Sequence, residues 1–338
     1  MARTAHGGEV VNRLRSNDPC WCGSAKKLKR CHGAHRRPAQ LVEAGIVGEP
    51  RAVPESIVRP PYVGTGRAPG RSGPQVHTGE QIERLRAAGR VAAIVLERAG
   101  AAVAPGVSTD ELDRIAHEAY VELGAYPSDL GYKGYPKSVC TSVNEVVCHG
   151  IPDDRPLREG DIVNIDVTAY LDGVHGDTSA TFAVGQIDEP TRALLDTTRA
   201  ATLRGIAAIA PGGDLRDIAE AIQPFAHSRG FGVVRDWGGH GIGAVFHSDP
   251  HVYHSIERTD PFELVPGLTL TVEPMLTAGT NRHHTWDDDW TVVTDDLLVS
   301  AQFEHTVIVT SDGVEILTVT GRDGHSSEEL LRTVASVT

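Results

Sequence analysis

Ala104-Pro105-Gly106 returns as Ala210-Pro211-Gly212, and in each copy the Pro-Gly pair ends one helical stretch and precedes another. A chain repeated in this way must fold as two like halves. In the first copy Ile82, Leu85, Val91, Ile94 and Val95 recur at roughly helical spacing, and Thr78 with Gln81 matches a capping box. A second helix is expected from Ser108, with Glu111 as its box partner, through Leu112, Ile115, Ala116 and Ala119. In the second copy a helical stretch begins at Thr191, and Leu215, Ile218 and Ala219 answer Leu112, Ile115 and Ala116. The offset between copies falls from 106 to 103, so the second connection is three residues shorter, and Pro224 is expected to interrupt the helix it lies in. β-rich sequence follows each pair, at Ile162 to Val184 and then at Leu268 to Glu273 with Gln302 to Val309. The expectation is an α+β domain of pseudo-twofold α-then-β halves with a site at their seam.

Within Asp161 to Val184, alternating apolar residues flank Asp172-Gly173, a two-residue hairpin signal. With the turn there, Asp166 lies opposite Ser179, and Asp177 faces the same side two residues away. Diagonal neighbours of this kind stand roughly 7 Å apart or less. Buried carboxylates so placed repel and protonate unless cations neutralise them. For this segment alone, a solvated hairpin face is an equal alternative. Three other segments weigh against it: His240 sits in Gly238-Gly239-His240-Gly241-Ile242-Gly243, Glu273 in the apolar run TLTVEP, and Glu304 in AQFEHTVIV. An acid inside a buried strand needs a partner. Asp166, Asp177, His240, Glu273 and Glu304 offer hard oxygen donors and one nitrogen, a set suited to Mn²⁺, Fe²⁺ or Co²⁺ and large enough to share two such ions. The expected chemistry is hydrolysis, with water activated and a peptide carbonyl polarised between the ions.

From about Thr78 to Leu317 the sequence resembles a type I methionine aminopeptidase of the pita-bread fold, on the motifs GYPKSVCTSVNEVVCHGIP, NIDVTAYLDGVHGDTSATF, GHGIGAVFH, TLTVEPM and WTVV followed by SAQFEHT. The resemblance implies removal of the initiator methionine from nascent proteins when the second residue is small. It implies Asp177 and Glu304 as bridges between the metals, Asp166 as a further ligand, and His240 and Glu273 as ligands on the other side, with Glu273 also the proton acceptor. It places His149 beside the substrate amide and His247 near the scissile carbonyl, and it encloses the methionine side chain with Tyr132, Tyr135, Cys140, Phe246 and Trp290. Asp129 departs from the pattern, which has a cysteine or small residue there. Asn164 and Ser300 match a monovalent site for Na⁺ or K⁺, although a structural hydrogen-bonding role explains them nearly as well. His283 and His284 match nothing and are expected on a solvated loop. About 26 residues separate the GHGIGAVFH segment from Glu273, too few for the helical insert of type II enzymes. The alternatives are a prolidase-like peptidase, which usually carries a larger N-terminal domain than residues 1–77 can form, and a non-catalytic pita-bread protein binding ribosomes or nucleic acid. All five ligands are present, which disfavours the second.

Charge divides the chain. Residues 1–37 hold nine Arg or Lys against Glu9 and Asp18, although the whole chain carries −13. A basic head on an acidic body suggests that the head alone approaches an anionic partner such as the ribosome; no DNA partner is expected. Of five cysteines, Cys20, Cys22 and Cys31 crowd into this head. With His32 they make four soft ligands, enough for a closed structural Zn²⁺. The string resembles the small zinc motif at the C-terminus of the SecA translocation motor. Seven prolines and six glycines in residues 38–76 suggest an extended linker. The catalytic domain is expected at 77–325, with 326–338 as a tail. No apolar run reaches signal-peptide or membrane-span length, so a cytoplasmic enzyme without membrane contact is expected.

Overall fold

The computed structural model describes residues 40–335 except 66, 68, 69, 71, 323 and 324, together with the isolated positions 17, 26, 27 and 38. Cys20, Cys22, Cys31 and His32 lie outside the described residues.

The first half runs α1 (Glu80–Ala101), α2 (Thr109–Glu122), β1 (Tyr126–Pro127), β2 (Cys140–Val143), β3 (Val146–Cys148), β4 (Ile162–Leu171) and β5 (Val174–Ala183). Ser108 caps α2 as expected, accepting the Glu111 N–H at 3.1 Å. The box expected at Thr78 does not form. Gly79, at φ 51°, occupies the cap position of α1, so no side chain is in place to accept the first N–H groups. The second half runs α3 (Glu189–Ala207), α4 (Arg216–Ser228), β6 (Gly232–Val233), β7 (Gly239–Gly241), β8 (Ser248–Val252), β9 (Thr269–Val272), β10 (Met275–Thr277), β11 (His283–Thr285), β12 (Val292–Thr294), β13 (Ser300–Gln302), β14 (Glu304–Val309), β15 (Val314–Ile316) and α5 (Ser327–Ala335). Pro224 sits inside α4 without ending it, because Ile218, Ala219, Ile222 and Ala226 anchor the helix on both sides of the missing hydrogen bond. The expected C-terminal tail is α5, which buries Leu330 in the second-half core.

The main sheet orders its strands β1-β4-β5-β14-β9-β7-β8, with β2 also on β4 and β15 also on β14. Its seam is the β5–β14 pair, which joins the halves and sets Glu304 opposite Ser179. Each half has its own apolar core: α1 and α2 against β4, and α3 and α4 against β9 and β14. Each fully buried Leu or Ile contributes roughly 1.5–3 kcal/mol to holding these layers. Close approach of α1 to β5 depends on paired glycines, since a Cβ on Gly176 would lie 2.4 Å from Gly89 N.

Among the described residues of 38–76, expected as a linker, there is no helix or strand, yet much of the segment is fastened down. Gly45 N donates to Asp153 Oδ2 at 2.9 Å, and Arg51 reaches Asp113 at 3.0 Å and Asp110 at 2.7 Å. Val53 and Ile57 are buried with Tyr126, Leu130 and Tyr170. The segment is a strap, held by single side chains in separate recesses, and such a pattern has no periodicity for sequence reading to detect.

Candidate active site

The hairpin turn falls where expected, with Asp172 and Gly173 at φ 49° and 86°. Its register puts Asp166 opposite Ser179 and Asp177 opposite Thr168, whose hydroxyl donates to Asp177 Oδ1 at 2.7 Å. Glu304 approaches Ser179 from the other side, on β14. His240 enters on β7 between two glycines that cannot be larger: a Cβ on Gly239 would lie 2.2 Å from Thr271 O, and one on Gly241 2.1 Å from Asp249 O. This tight seating brings His240 Nε2 to 3.6 Å from Asp177 Oδ2 and 3.8 Å from Glu273 Oε1. Single ligand atoms of Asp177, His240 and Glu304 lie within 4.8 Å of one another. Glu273, just beyond β9, accepts from Thr271 Oγ1 at 2.7 Å and from Gln302 Nε2 at 3.0 Å.

Electrostatically the cluster is incomplete by itself. Burial pushes the Asp166 and Glu304 carboxyls well above the ordinary carboxylate range, and repulsion by Asp177 adds to it. Glu273 is raised by burial too. His240 is raised against its own burial, because Asp177 and Glu273 favour the charged ring. Glu304 Oε2 is buried without a hydrogen-bond partner among the described residues. Four crowded acids with an orphaned oxygen and one imidazole fit divalent cations, which would discharge the repulsion and use the free lone pairs.

The cluster floors a cavity of about 760 Å³ that Tyr132, Tyr135, Cys140, Phe246 and Trp290 also line. His149 and His247 line it as well. His149 takes φ 57°, and Gly150 must follow because a Cβ there would meet Thr141 O at 2.2 Å. Burial lowers the His149 pKa to about 4 and takes His247 well below its ordinary value. Both rings are therefore neutral near pH 7 and keep one N–H each. Every catalytic and pocket residue named from the sequence thus lines one cavity.

Residues 83–311 match metallopeptidase family M24. The chain belongs to that family. It is 55% identical over 274 residues to methionine aminopeptidase 2 of Mycobacterium tuberculosis, covering 81% of this chain and 96% of that protein. It is 51% identical to the Escherichia coli methionine aminopeptidase, covering 72% and 93%. The structure of methionine aminopeptidase from Rickettsia prowazekii superposes with a TM-score of 0.71 at 45% identity, covering 73% of this chain and all of that one. Prolidase from Pyrococcus furiosus, at 22% identity and a TM-score of 0.60 over 73% of this chain and 66% of that one, shares the fold. The fold is pita-bread, and the activity is that of a methionine aminopeptidase. Residues 17–34 match the SEC-C motif.

As an M24 enzyme the chain has features that its motifs did not reveal. Trp237 stands edge-on to His149, centroids 5.0 Å apart at 85°, and its Nε1 donates to His283 Nε2 at 3.0 Å. His283 is thus not on a free loop but on β11, braced against a cavity wall; His284 is exposed and meets Asp295 at 3.0 Å. The signal for Trp237 was its place directly before the Gly-Gly-His-Gly run. Asp129 lines the cavity, and its Oδ2 is buried without a hydrogen-bond partner among the described residues. Asn164 and Ser300 do not bond to each other: Asn164 Nδ2 donates to Gln302 O at 3.0 Å, and Ser300 Oγ to Leu276 O at 3.1 Å.

Proposed function

We propose that this enzyme removes initiator methionine from nascent chains with small second residues, using Asp166, Asp177, His240, Glu273 and Glu304 to hold two divalent cations, Fe²⁺, Mn²⁺ or Co²⁺. The observation that carries this reading is the convergence of three buried acids, the half-buried Asp166 and one histidine at the seam, with His240 Nε2 3.6 Å from Asp177 Oδ2 and 3.8 Å from Glu273 Oε1. Bound there, the ions supply Lewis acidity to the carbonyl and a lowered pKa for water. The chain's own residues do the rest. Glu273 is oriented by Thr271 and Gln302 and takes up the proton released by attacking water. His149 and His247, neutral donors over the same cavity, hold the peptide amide and stabilise the developing oxyanion.

The pocket walls support methionine as the residue removed. Tyr135 and Trp290 meet edge to face at 4.9 Å, and Tyr132 and Phe246 lie 4.9 Å apart. A thioether chain packs well against such rings, and the slot suits an unbranched side chain. In a peptide panel, Met-Ala-Ser is expected to be cut at least about tenfold faster than Leu-Ala-Ser, and Met-Lys and X-Pro starts poorly. Equal cleavage of Met-Ala and Met-Lys starts, or a preference for leucine, would show the pocket assignment to be wrong.

We further infer a cytoplasmic site of action, on chains leaving the ribosome, and a zinc-stabilised head held by Cys20, Cys22, Cys31 and His32. No described helix is long and apolar enough to cross a membrane. Lys26, Lys27, Lys29 and Arg30 give the head the charge to contact ribosomal phosphates. Deleting residues 1–37 spares the strap and every catalytic ligand, so hydrolysis of Met-Ala-Ser is expected to change less than about twofold. Ribosome co-sedimentation should weaken on deletion, and for the intact chain it should fall with added salt. Equal co-sedimentation of both proteins at low salt would reject the ribosomal role.

A further inference from the structure

The strap reaches the proposed methionine pocket through Tyr62, with Val63 packed beside it. Tyr62 is 3% exposed and lies outside the matched catalytic region. It forms one apolar cluster with Tyr132 and Phe246, two of the pocket walls. Its ring stands edge-on to Tyr132, 5.1 Å between centroids, and lies nearly parallel to His175 at 6.3 Å and 15°. His175 is stacked in turn on Phe246 at 5.3 Å and 12°. The Tyr62 hydroxyl donates to Ser128 O at 2.5 Å, and Ser128 Oγ bonds His175 Nδ1 at 2.9 Å. Two rings of the pocket are therefore backed, directly or through His175, by a side chain from the strap.

Hydrogen bonds from Tyr132 N to Asp129 O and from Tyr135 N to Tyr132 O, both 2.9 Å, fix the backbone of Tyr132, whereas its ring takes its place from the rings packed on it. Tyr132 opens a three-residue 3₁₀ turn that follows Gly131 and ends on Gly134, at φ 84° and 87°, with Lys133 between at φ 47°. A run so rich in left-handed residues has little intrinsic preference for one conformation. The ring of Tyr132 is set among Tyr62, Phe246 and His247, with centroids 5.1, 4.9 and 5.1 Å away. The strap can provide that packing because Arg51 is anchored on Asp113, a fully buried acid, and the Tyr62 hydroxyl is itself tied to Ser128 O.

We propose that Tyr62 is a positioning residue that sets methionine selectivity, by pressing Tyr132 and Phe246 into the cavity from behind; this rests on the pocket reading above. Steady-state kinetics of the full chain on Met-Ala-Ser and Leu-Ala-Ser test it, with Tyr62→Ala, Tyr62→Phe and Ile57→Ala. Tyr62→Ala should raise KM for Met-Ala-Ser about tenfold and lower the Met-over-Leu preference by a similar factor, with kcat changed far less. Tyr62→Phe, which keeps the ring and loses the bond to Ser128, should restore the preference. Ile57→Ala, buried in the strap but absent from the Tyr62 cluster, should lower the melting temperature and leave the preference alone. A purely structural Tyr62 would instead reduce the active fraction, scaling kcat equally for both peptides with KM unmoved, and that result would overturn the proposal. So would an equal loss of preference in Ile57→Ala. If Tyr62→Ala does not fold, Tyr62→Leu fills the space without a ring, and wild-type KM and preference in that variant would be equally fatal. A wild-type enzyme without any preference for methionine would refute the pocket reading itself.

Discussion

Asp177→Ala and Glu304→Ala are each expected to lower kcat/KM on Met-Ala-Ser by about 10³-fold or more, a loss of about 4 kcal/mol of transition-state stabilisation. Each substitution removes a proposed bridge. Asp177 is the residue on which the cluster converges, since its Oδ2 lies 3.6 Å from His240 Nε2 and its repulsion lifts both Asp166 and Glu304. The fold should survive, because the change leaves one buried charge fewer to neutralise. The sign of the pH effect follows from the raised carboxyls. A carboxyl whose folded pKa exceeds its unfolded one stabilises the fold below the unfolded value, near pH 4, and that contribution is lost as pH rises through the folded value. Chelator-treated wild-type protein should therefore melt lower at neutral pH than near pH 5, and Mn²⁺ or Co²⁺ should reverse the loss. Glu304→Ala should show a smaller pH dependence in chelator. Near-normal turnover by either variant with verified metal content would sink the two-metal assignment.

His149→Ala is expected to leave metal content unchanged and to lower kcat about 100-fold, the scale of one positioned donor. His149 lies on the cavity wall between Trp237 and Trp290, with ring centroids 5.0 and 6.0 Å away. With its pKa lowered to about 4 by burial, the ring acts as a neutral N–H donor at pH 7. Its removal should therefore lower the rate evenly from pH 6 to 8 and abolish no limb of the profile near pH 6.5. His149→Gln, which restores an amide donor, should recover part of the rate. A His149→Ala enzyme within threefold of wild type, or one that has lost metal, would assign the residue a different role.

Local chemistry and register explain why the proposed metal site was legible in the chain. Once Asp172-Gly173 forms the turn, strand periodicity leaves Asp166 and Asp177 on one face, and no distant contact can move them to the other. The repeat of Ala-Pro-Gly and its flanking helices likewise required two halves, and His240 among glycines announced a backbone packed too closely for any Cβ. What the sequence could not determine were contacts whose partners are far apart in the chain and follow no period. Glu304 meets Ser179 only because β14 chooses β5 as its neighbour. Trp237 and His283 become a brace only when β11 packs against Trp237. The strap is the clearest case: Arg51, Ile57 and Tyr62 read as a proline-rich linker, because each is fixed by one recess of the folded domain rather than by its neighbours. Local rules set by turns and side-chain alternation were written in the sequence, whereas the non-local burial that closes the pocket existed only once both halves and the strap had packed.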